Sequence, residues 1–166
     1  MIEFKKFPKI PRLNYREYFI TEKIDGTNAC VVVDADGNVA AQSRNTLITV
    51  NNDNFGFASW VENNKDELQK LGTGHHYGEW WGKGIQRGYN KDERIFSLFF
   101  PQRYYYVPNI CRVVPIFEYS IEKSLEYLLE YGSVAAKGFM KPEGLIIIDK
   151  NYPNCKYKII LHEGVS

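Results

Sequence analysis

The chain has no two cysteines close to one another. Cys30, Cys111 and Cys155 are far apart, odd in number and form no C-x-x-C pair. This argues against a disulfide framework or a cysteine-held zinc, and fits a reducing compartment. No apolar stretch approaches membrane-spanning length, and the N-terminal Met1-Ile2-Glu3-Phe4-Lys5-Lys6 lacks the apolar segment of a secretory signal. A soluble, cytoplasmic protein without a membrane partner is therefore expected. An excess of either charge is also missing: 21 Lys and Arg stand against 20 Asp and Glu, a net charge of +1. Overall charge gives no pull toward a phosphate backbone, so any basic surface must be local. There is no internal repeat, low-complexity tract or linker, and 166 residues suffice to bury a core. One domain covering residues 1–166, acting as a monomer, is the expectation. Rings are what the chain has in quantity: 12 Tyr and 10 Phe supply far more stacking surface than a binding site needs, so most must be core.

Residues 1–17, with Lys, Arg, Pro8 and Pro11, read as an irregular arm. Tyr18 to Ile24 reads as a strand ending at Asp25-Gly26. Ala29 to Val33, the turn-forming Asp34-Ala35-Asp36-Gly37-Asn38, and Val39 to Gln42 read as a hairpin. Phe57, Trp60, Val61, Leu68 and Leu71 fall near helical spacing, which predicts a helix over 55–71 stopped by Gly72. Tyr77 to Trp81 and Ile95 to Phe100 are expected strands joined by a Gly-rich loop. A second helix should start near Ser120, carry Ile121, Leu125, Leu128 and Leu129 on one face and end at Gly132. Leu145 to Ile148 and Tyr157 to Leu161 are the last strands, joined by a loop with Pro153. Helices and hairpins without a βαβ rhythm predict an α+β fold with antiparallel sheets.

The chemistry begins at Glu22-Lys23-Ile24-Asp25-Gly26-Thr27-Asn28. A lysine on a strand just before a glycine turn can point into a cleft, and Gly26 is expected to let a ligand approach the backbone. A lysine amine attacks phosphorus only as the neutral base, which a side chain with a pKa near ~10.4 reaches only through desolvation or neighbouring cations. Arg44, in Ser43-Arg44-Asn45, offers a cation for phosphate, though it could equally be a surface charge. Glu79 lies in Tyr77-Gly78-Glu79-Trp80-Trp81-Gly82, an apolar setting that makes an unpaired carboxylate costly. Phe96 and Phe99 supply rings for a purine or for a core. Glu143 stands at the mouth of an apolar strand, or in a simple turn. Lys156 and Lys158, one residue apart, share a strand face; exposed lysines there could also serve only to protect an edge strand. His75 and His76 are adjacent, so on a strand they face opposite ways and read as structural rather than as a metal pair. His162 has no evident partner, and the tryptophans read as core or groove wall.

In this order, Lys23–Asn28, Arg44, Glu79, Phe99, Glu143 and Lys156/Lys158 resemble the six motifs of the covalent nucleotidyltransferases: DNA ligases, RNA ligases and mRNA capping enzymes. Within that group the chain is most similar to the RNA ligases that seal nicks in duplex RNA, as in phage T4. Asn28 stands where DNA ligases and capping enzymes usually carry Arg, and Tyr77-Gly-Glu-Trp-Trp-Gly-Lys-Gly-Ile-Gln-Arg-Gly-Tyr89 looks like that branch's glutamate motif with its Gly-x-Gly-Ile-Gln loop. The resemblance implies an antiparallel-sheet adenylation domain of the ligase and capping-enzyme type. It implies ATP and Mg²⁺ as cofactors, and broken or nicked nucleic acid, RNA before DNA, as partner. It assigns Lys23 as the nucleophile that becomes linked to AMP, with Lys156 and Lys158 on the phosphates and Arg44 clamping a phosphate or the acceptor end. Glu79 would bind the ribose, Phe99 would stack on adenine while Phe96 packs in the core, and Glu22 would contact the purine. Glu143 and Asn28 would hold Mg²⁺ through water.

The chain departs from that pattern in its length. The stretches from Phe99 to Glu143 and from Glu143 to Lys156 are short for the branch, and the sequence ends eight residues after Lys158. The C-terminal domain that usually engages the nicked strand is thus expected to be missing, which makes lysine adenylylation a firmer implication than strand sealing. A DNA or mixed-substrate nick ligase, a capping guanylyltransferase using GTP, and a non-sealing nucleic-acid-binding module of the same fold remain as rivals. The last is opposed by the presence of both Lys23 and the Lys-x-Lys pair.

Overall fold

A computed structural model describes residues 1–10 and 17–162. Residues 1–10 are exposed and without regular structure, as read for the arm; its continuation over 11–16, including Pro11, lies outside the described residues. The strands are β1 (Tyr18–Lys23), β2 (Thr27–Val33), β3 (Val39–Gln42), β4 (Leu47–Ile48), β5 (Gly74–Gly82), β6 (Arg94–Leu98), β7 (Arg112–Val113), β8 (Ile116–Phe117), β9 (Gly144–Asp149) and β10 (Lys156–Ile160). The helices are α1 (Phe57–Asn63), α2 (Lys65–Leu68) and α3 (Ile121–Tyr131). Two sheets result, one in the order β10-β9-β1-β8 and one in the order β4-β3-β2-β5-β6-β7. Every pairing between these strands is antiparallel except β6 with β7, so the α+β expectation holds.

The six-stranded sheet owes its core to alternation. Ala29, Val31 and Val33 of β2 face the same way and meet Phe57 and Val61 of α1, with Trp80, Phe96 and Leu98 behind them. Phe57 lies 5.3 Å from both Trp80 and Phe96, ring centre to ring centre. Each of these large side chains, fully withdrawn from water, contributes roughly 1.5–3 kcal/mol. The single helix expected over 55–71 is in fact two short helices and a final 3-10 turn, Gln69–Leu71. It starts late because Phe55 and Gly56 have φ of 51° and 79°, and because Asp53 accepts from Ala58 N (2.7 Å) and Ser59 N (3.0 Å). It breaks at Asn64, whose φ of −130° is not helical and whose Nδ2 donates to the Trp60 carbonyl at 2.7 Å. Gly72 ends it, as expected, with φ 88°.

The four-stranded sheet is covered by α3. Ser120 caps the helix by accepting from Lys123 N at 3.2 Å, and Gly132 follows its last residue with φ 78°. Ile121, Leu125 and Leu128 pack on Ile20, Leu145 and Ile147. Leu129 departs from the sequence reading: it is 56% exposed. One residue is about 100° of helix rotation, which carries Leu129 past the edge of the stripe centred on Leu128 and Leu125. Ser124 is buried in its place, with its hydroxyl donating to the Ser120 carbonyl.

Ile24-Asp25-Gly26 is all that separates β1 in one sheet from β2 in the other. Ile24 is buried with Trp81, Tyr89, Ile95, Val114 and Ala136 at this junction. Gly26 serves close packing of the chain on itself: a Cβ there would run into the Trp80 carbonyl oxygen and lie 2.7 Å from Trp81 Cβ.

Candidate active site

Lys23, the last residue of β1, pairs in register with Gly144 of β9, which in turn pairs with Ile160 of β10. Glu143 immediately precedes that strand, and Lys23 Nζ donates to Glu143 Oε2 at 2.8 Å. The two side chains are 23% and 15% exposed, so the pair is partly withdrawn from water. Gly144, with φ of 154°, lets β10 lie close against β9 here, since a Cβ on it would collide with the Ile159 carbonyl.

Residues paired across antiparallel strands share a face, as do alternate residues of one strand. Thr21 pairs with Ile146 and Ile146 with Lys158, so Lys158, and Lys156 with it, lie on the face that carries Lys23. Strand spacing and rise place their Cα atoms about 12 Å and about 17 Å from that of Lys23. Both are exposed, and Lys156 Nζ rests 4.4 Å from the centre of the Phe100 ring.

The other sheet contributes a row across three strands: Asn28 pairs with Glu79, and Glu79 with Ser97. Glu79 is 8% exposed, and its carboxylate makes no hydrogen bond among the described residues. Burial pushes its carboxyl up to about 8; the Lys23 ammonium pulls against this, while Glu143 and Asp25 add to it. These charges therefore share one field at the junction of the sheets. Asn28 is exposed. Arg44 is exposed in the Ser43–Thr46 turn that joins β3 to β4. The β2–β3 ladder ends at Cys30 with Gln42, so Arg44 lies two residues beyond it in that turn.

Phe99 lies one residue past β6, half-buried against the junction cluster, with its N–H donating to the Tyr77 carbonyl at 2.9 Å. The strand expected to reach Phe100 stops at Leu98, because Phe100 turns to φ 55° and Pro101 has no N–H for a ladder. Phe96 is fully buried in the first core. Glu22 is placed away from this group. Strand alternation turns it to the face opposite Lys23, where its carboxylate accepts from Ser133 Oγ (2.6 Å), Val134 N (3.0 Å) and Ala135 N (2.9 Å). It is 1% exposed, and burial raises its pKa against the pull of those three donors. His76 is likewise engaged internally, with the Gly72 carbonyl and the Tyr104 hydroxyl, while His75 is exposed.

The chain falls in an established family. A family model described as RNA ligase matches residues 16–159. The chain belongs to the RNA ligase family. Solved structures of Naegleria gruberi RNA ligase share its fold. An apo mutant is 21% identical with a TM-score of 0.59, the match covering 86% of this chain and 49% of that one. Another mutant, with ATP and Mn, is 19% identical with a TM-score of 0.56 over 86% and 48%. The ligase with PPi is 18% identical with a TM-score of 0.54 over 86% and 49%. The RNA ligase domain described here thus spans about half the length of the ligase chains it matches. No curated protein matches it in sequence.

For this RNA ligase family member, Arg87 is the residue at the site that the sequence did not announce. It lies in the loop between β5 and β6 and its Nε donates to Asp25 Oδ2 at 2.9 Å. An arginine in a Gly-rich loop has no period by which to be found; its proximity to Asp25 is a tertiary fact. Among the described residues no group of three or more His, Cys, Asp or Glu could hold a metal. Magnesium, which keeps several waters and takes one or two carboxylates, needs no such group. The carboxylate oxygens of Glu143 and the exposed side-chain oxygen of Asn28 suit it in kind.

Proposed function

We propose that the chain carries out the adenylylation chemistry of an ATP-dependent RNA ligase, with Lys23 as nucleophile. The observation that carries this reading is the 2.8 Å contact between Lys23 Nζ and Glu143 Oε2, which joins residues 120 apart in sequence where the two sheets meet. Attack requires the pair to open and the ammonium to release its proton. The Lys23 nitrogen then forms a bond to the α-phosphorus of ATP as the bond to the β-phosphate oxygen breaks and pyrophosphate leaves. A 5′-phosphate oxygen next takes the AMP from Lys23, which regains a proton, and attack by a 3′-hydroxyl on the activated 5′ phosphorus expels AMP.

The chain's own groups divide this work. Lys156 and Lys158, on the same face as Lys23, neutralise phosphate charge, most of all as it builds on the leaving group. Arg44 clamps a phosphate or the acceptor end. Glu79 accepts from the ribose hydroxyls, and Phe99 offers its exposed part to the base. Glu22 acts from behind the strand, by fixing the 133–135 segment, and a purine contact would require it to leave three hydrogen bonds. Glu143 and Asn28 would hold Mg²⁺ through water, and the ion would supply further positive charge at the phosphates. The RNA ligase family match supports RNA as the acceptor, with a duplex nick as the first substrate to try.

The test is incubation of the pure protein with Mg²⁺ and ATP labelled on the α-phosphate, followed by denaturing electrophoresis. Acid-labile label is expected on the wild-type chain and on Lys5→Ala, but not on Lys23→Ala. A wild-type chain that takes no label from ATP or GTP would leave a binding module of the same fold as the better account.

A further inference from the structure

We propose that Arg87 is a positioning residue for adenylylation, holding Lys23 and Glu143 in register by gripping the Asp25 carboxylate beside the one and the Lys141 carbonyl beside the other; the inference rests on the reading of Lys23 as nucleophile. The guanidinium is buried, with the side chain 8% exposed, and it points three N–H groups at three separate segments. Nε donates to Asp25 Oδ2 at 2.9 Å, Nη1 to the Lys141 carbonyl at 3.0 Å, and Nη2 to the His162 carbonyl at 2.6 Å. Asp25 is two residues after Lys23, and Lys141 two residues before Glu143. His162 follows β10, and its N–H and that of Leu161 both donate to the Glu143 carbonyl. One side chain thus spans the turn of the nucleophile, the approach to its partner and the end of the strand bearing Lys156 and Lys158.

The loop that delivers Arg87 is built at a cost. Gln86, Tyr89 and Asn90 have φ of 46°, 54° and 55°. Left-handed backbone at non-glycine residues is strained and persists only where the surroundings enforce it. Here Ile85 and Tyr89 are the anchors, at 0% and 1% exposure. Tyr89 stands edge-on to Trp81 at 5.2 Å, and its hydroxyl accepts from Asp25 N at 2.8 Å. The Asp25 turn is therefore held twice by the same strained loop, at its backbone by Tyr89 and at its carboxylate by Arg87. Arg87 itself reaches no substrate-facing group, which separates its role from those of Lys23 and Lys158. Its planar fork can hold a carboxylate and two carbonyls at once; a lysine ammonium is a point charge without that geometry.

The experiment is single-turnover label transfer from α-phosphate-labelled ATP over a range of concentrations up to saturation, following both rate and final extent for wild type, Arg87→Ala and Arg87→Lys. Misplacement of reacting groups by about 1 Å costs on the order of 100-fold in rate. Arg87→Ala is accordingly expected to slow adenylylation by about 10- to 100-fold at an unchanged final extent, with the KM for ATP held within about threefold. Arg87→Lys should fall between it and wild type, and carries the test alone if the alanine variant does not fold. A merely structural role would lower the final extent and leave the rate of the remaining active molecules untouched, which overturns the proposal. A wild-type rate in Arg87→Lys, or in a folded Arg87→Ala, overturns it as well. Absence of label from the wild-type chain defeats the adenylylation reading itself, and this inference falls with it.

Discussion

Replacing Glu79 by glutamine keeps the shape of the side chain and removes its charge, and the consequence for stability depends on pH in a calculable way. In the unfolded chain a glutamate has its ordinary pKa of 4.5; in the folded chain burial raises that of Glu79 to about 8. The folded state therefore binds the proton more tightly than the unfolded one. Its stabilising contribution is complete below pH 4.5 and is lost as pH rises toward 8. At about 1.4 kcal/mol per pH unit, the whole span from 4.5 to about 8 is worth about 5 kcal/mol. Between pH 5.5 and 8.5 wild type should lose about 3 kcal/mol from this source, and Glu79→Gln should lose none of it. His76, whose pKa burial lowers, acts in the opposite direction, but it is common to both proteins and cancels in the difference. Urea unfolding of both at several pH values across this window measures the difference directly. A variant-minus-wild-type stability that stays flat to within about 0.5 kcal/mol would show that Glu79 is ionised in the folded protein as it is in water.

Two further substitutions probe the frame around the site. Glu22→Ala removes the acceptor shared by Ser133 Oγ, Val134 N and Ala135 N and should destabilise the chain by about 3 kcal/mol in urea unfolding. A loss below about 1 kcal/mol would mean that water satisfies those donors. Gly26→Ala drives a methyl into the Trp80 carbonyl and Trp81 Cβ and should cost about 1–3 kcal/mol by the same measurement. A neutral result would show that β5 is able to move aside.

How far the sequence spoke for the structure depends on the range of the cause. β1, the β2–β3 hairpin and α3 were legible because alternation, the Asp34–Asn38 turn, the Ser120 cap and the Gly132 stop are local signals. The break at Asn64 was not legible, because the apolar spacing of Phe57, Trp60 and Leu68 continues through it while one asparagine side chain competes for a carbonyl. Within the site, the shared face of Lys156 and Lys158 follows from period two alone, and the same rule sets Glu22 behind Lys23. The meeting of Lys23 with Glu143 was reached only through the ordered motifs. Its geometry, like the grip of Arg87 on Asp25, Lys141 and His162, is a product of strand order, which no local pattern encodes.

The strand order has a consequence for how the chain assembles. β2 with β3, β3 with β4 and β5 with β6 pair close in sequence, and β2 meets β5 across 41 to 53 residues (Val33 with Gly74, Thr27 with Trp80), so the six-stranded sheet can form from hairpins joined by one mid-range pairing. β1 cannot. Its partners β8 and β9 lie about 95 to 130 residues downstream, so on a ribosome it must wait, unpaired, until that much more of the chain has been made. The strand that bears Lys23 is thus among the last to find its place, and an interrupted translation product can hold a folded six-stranded sheet while Lys23 and Glu143 have yet to meet.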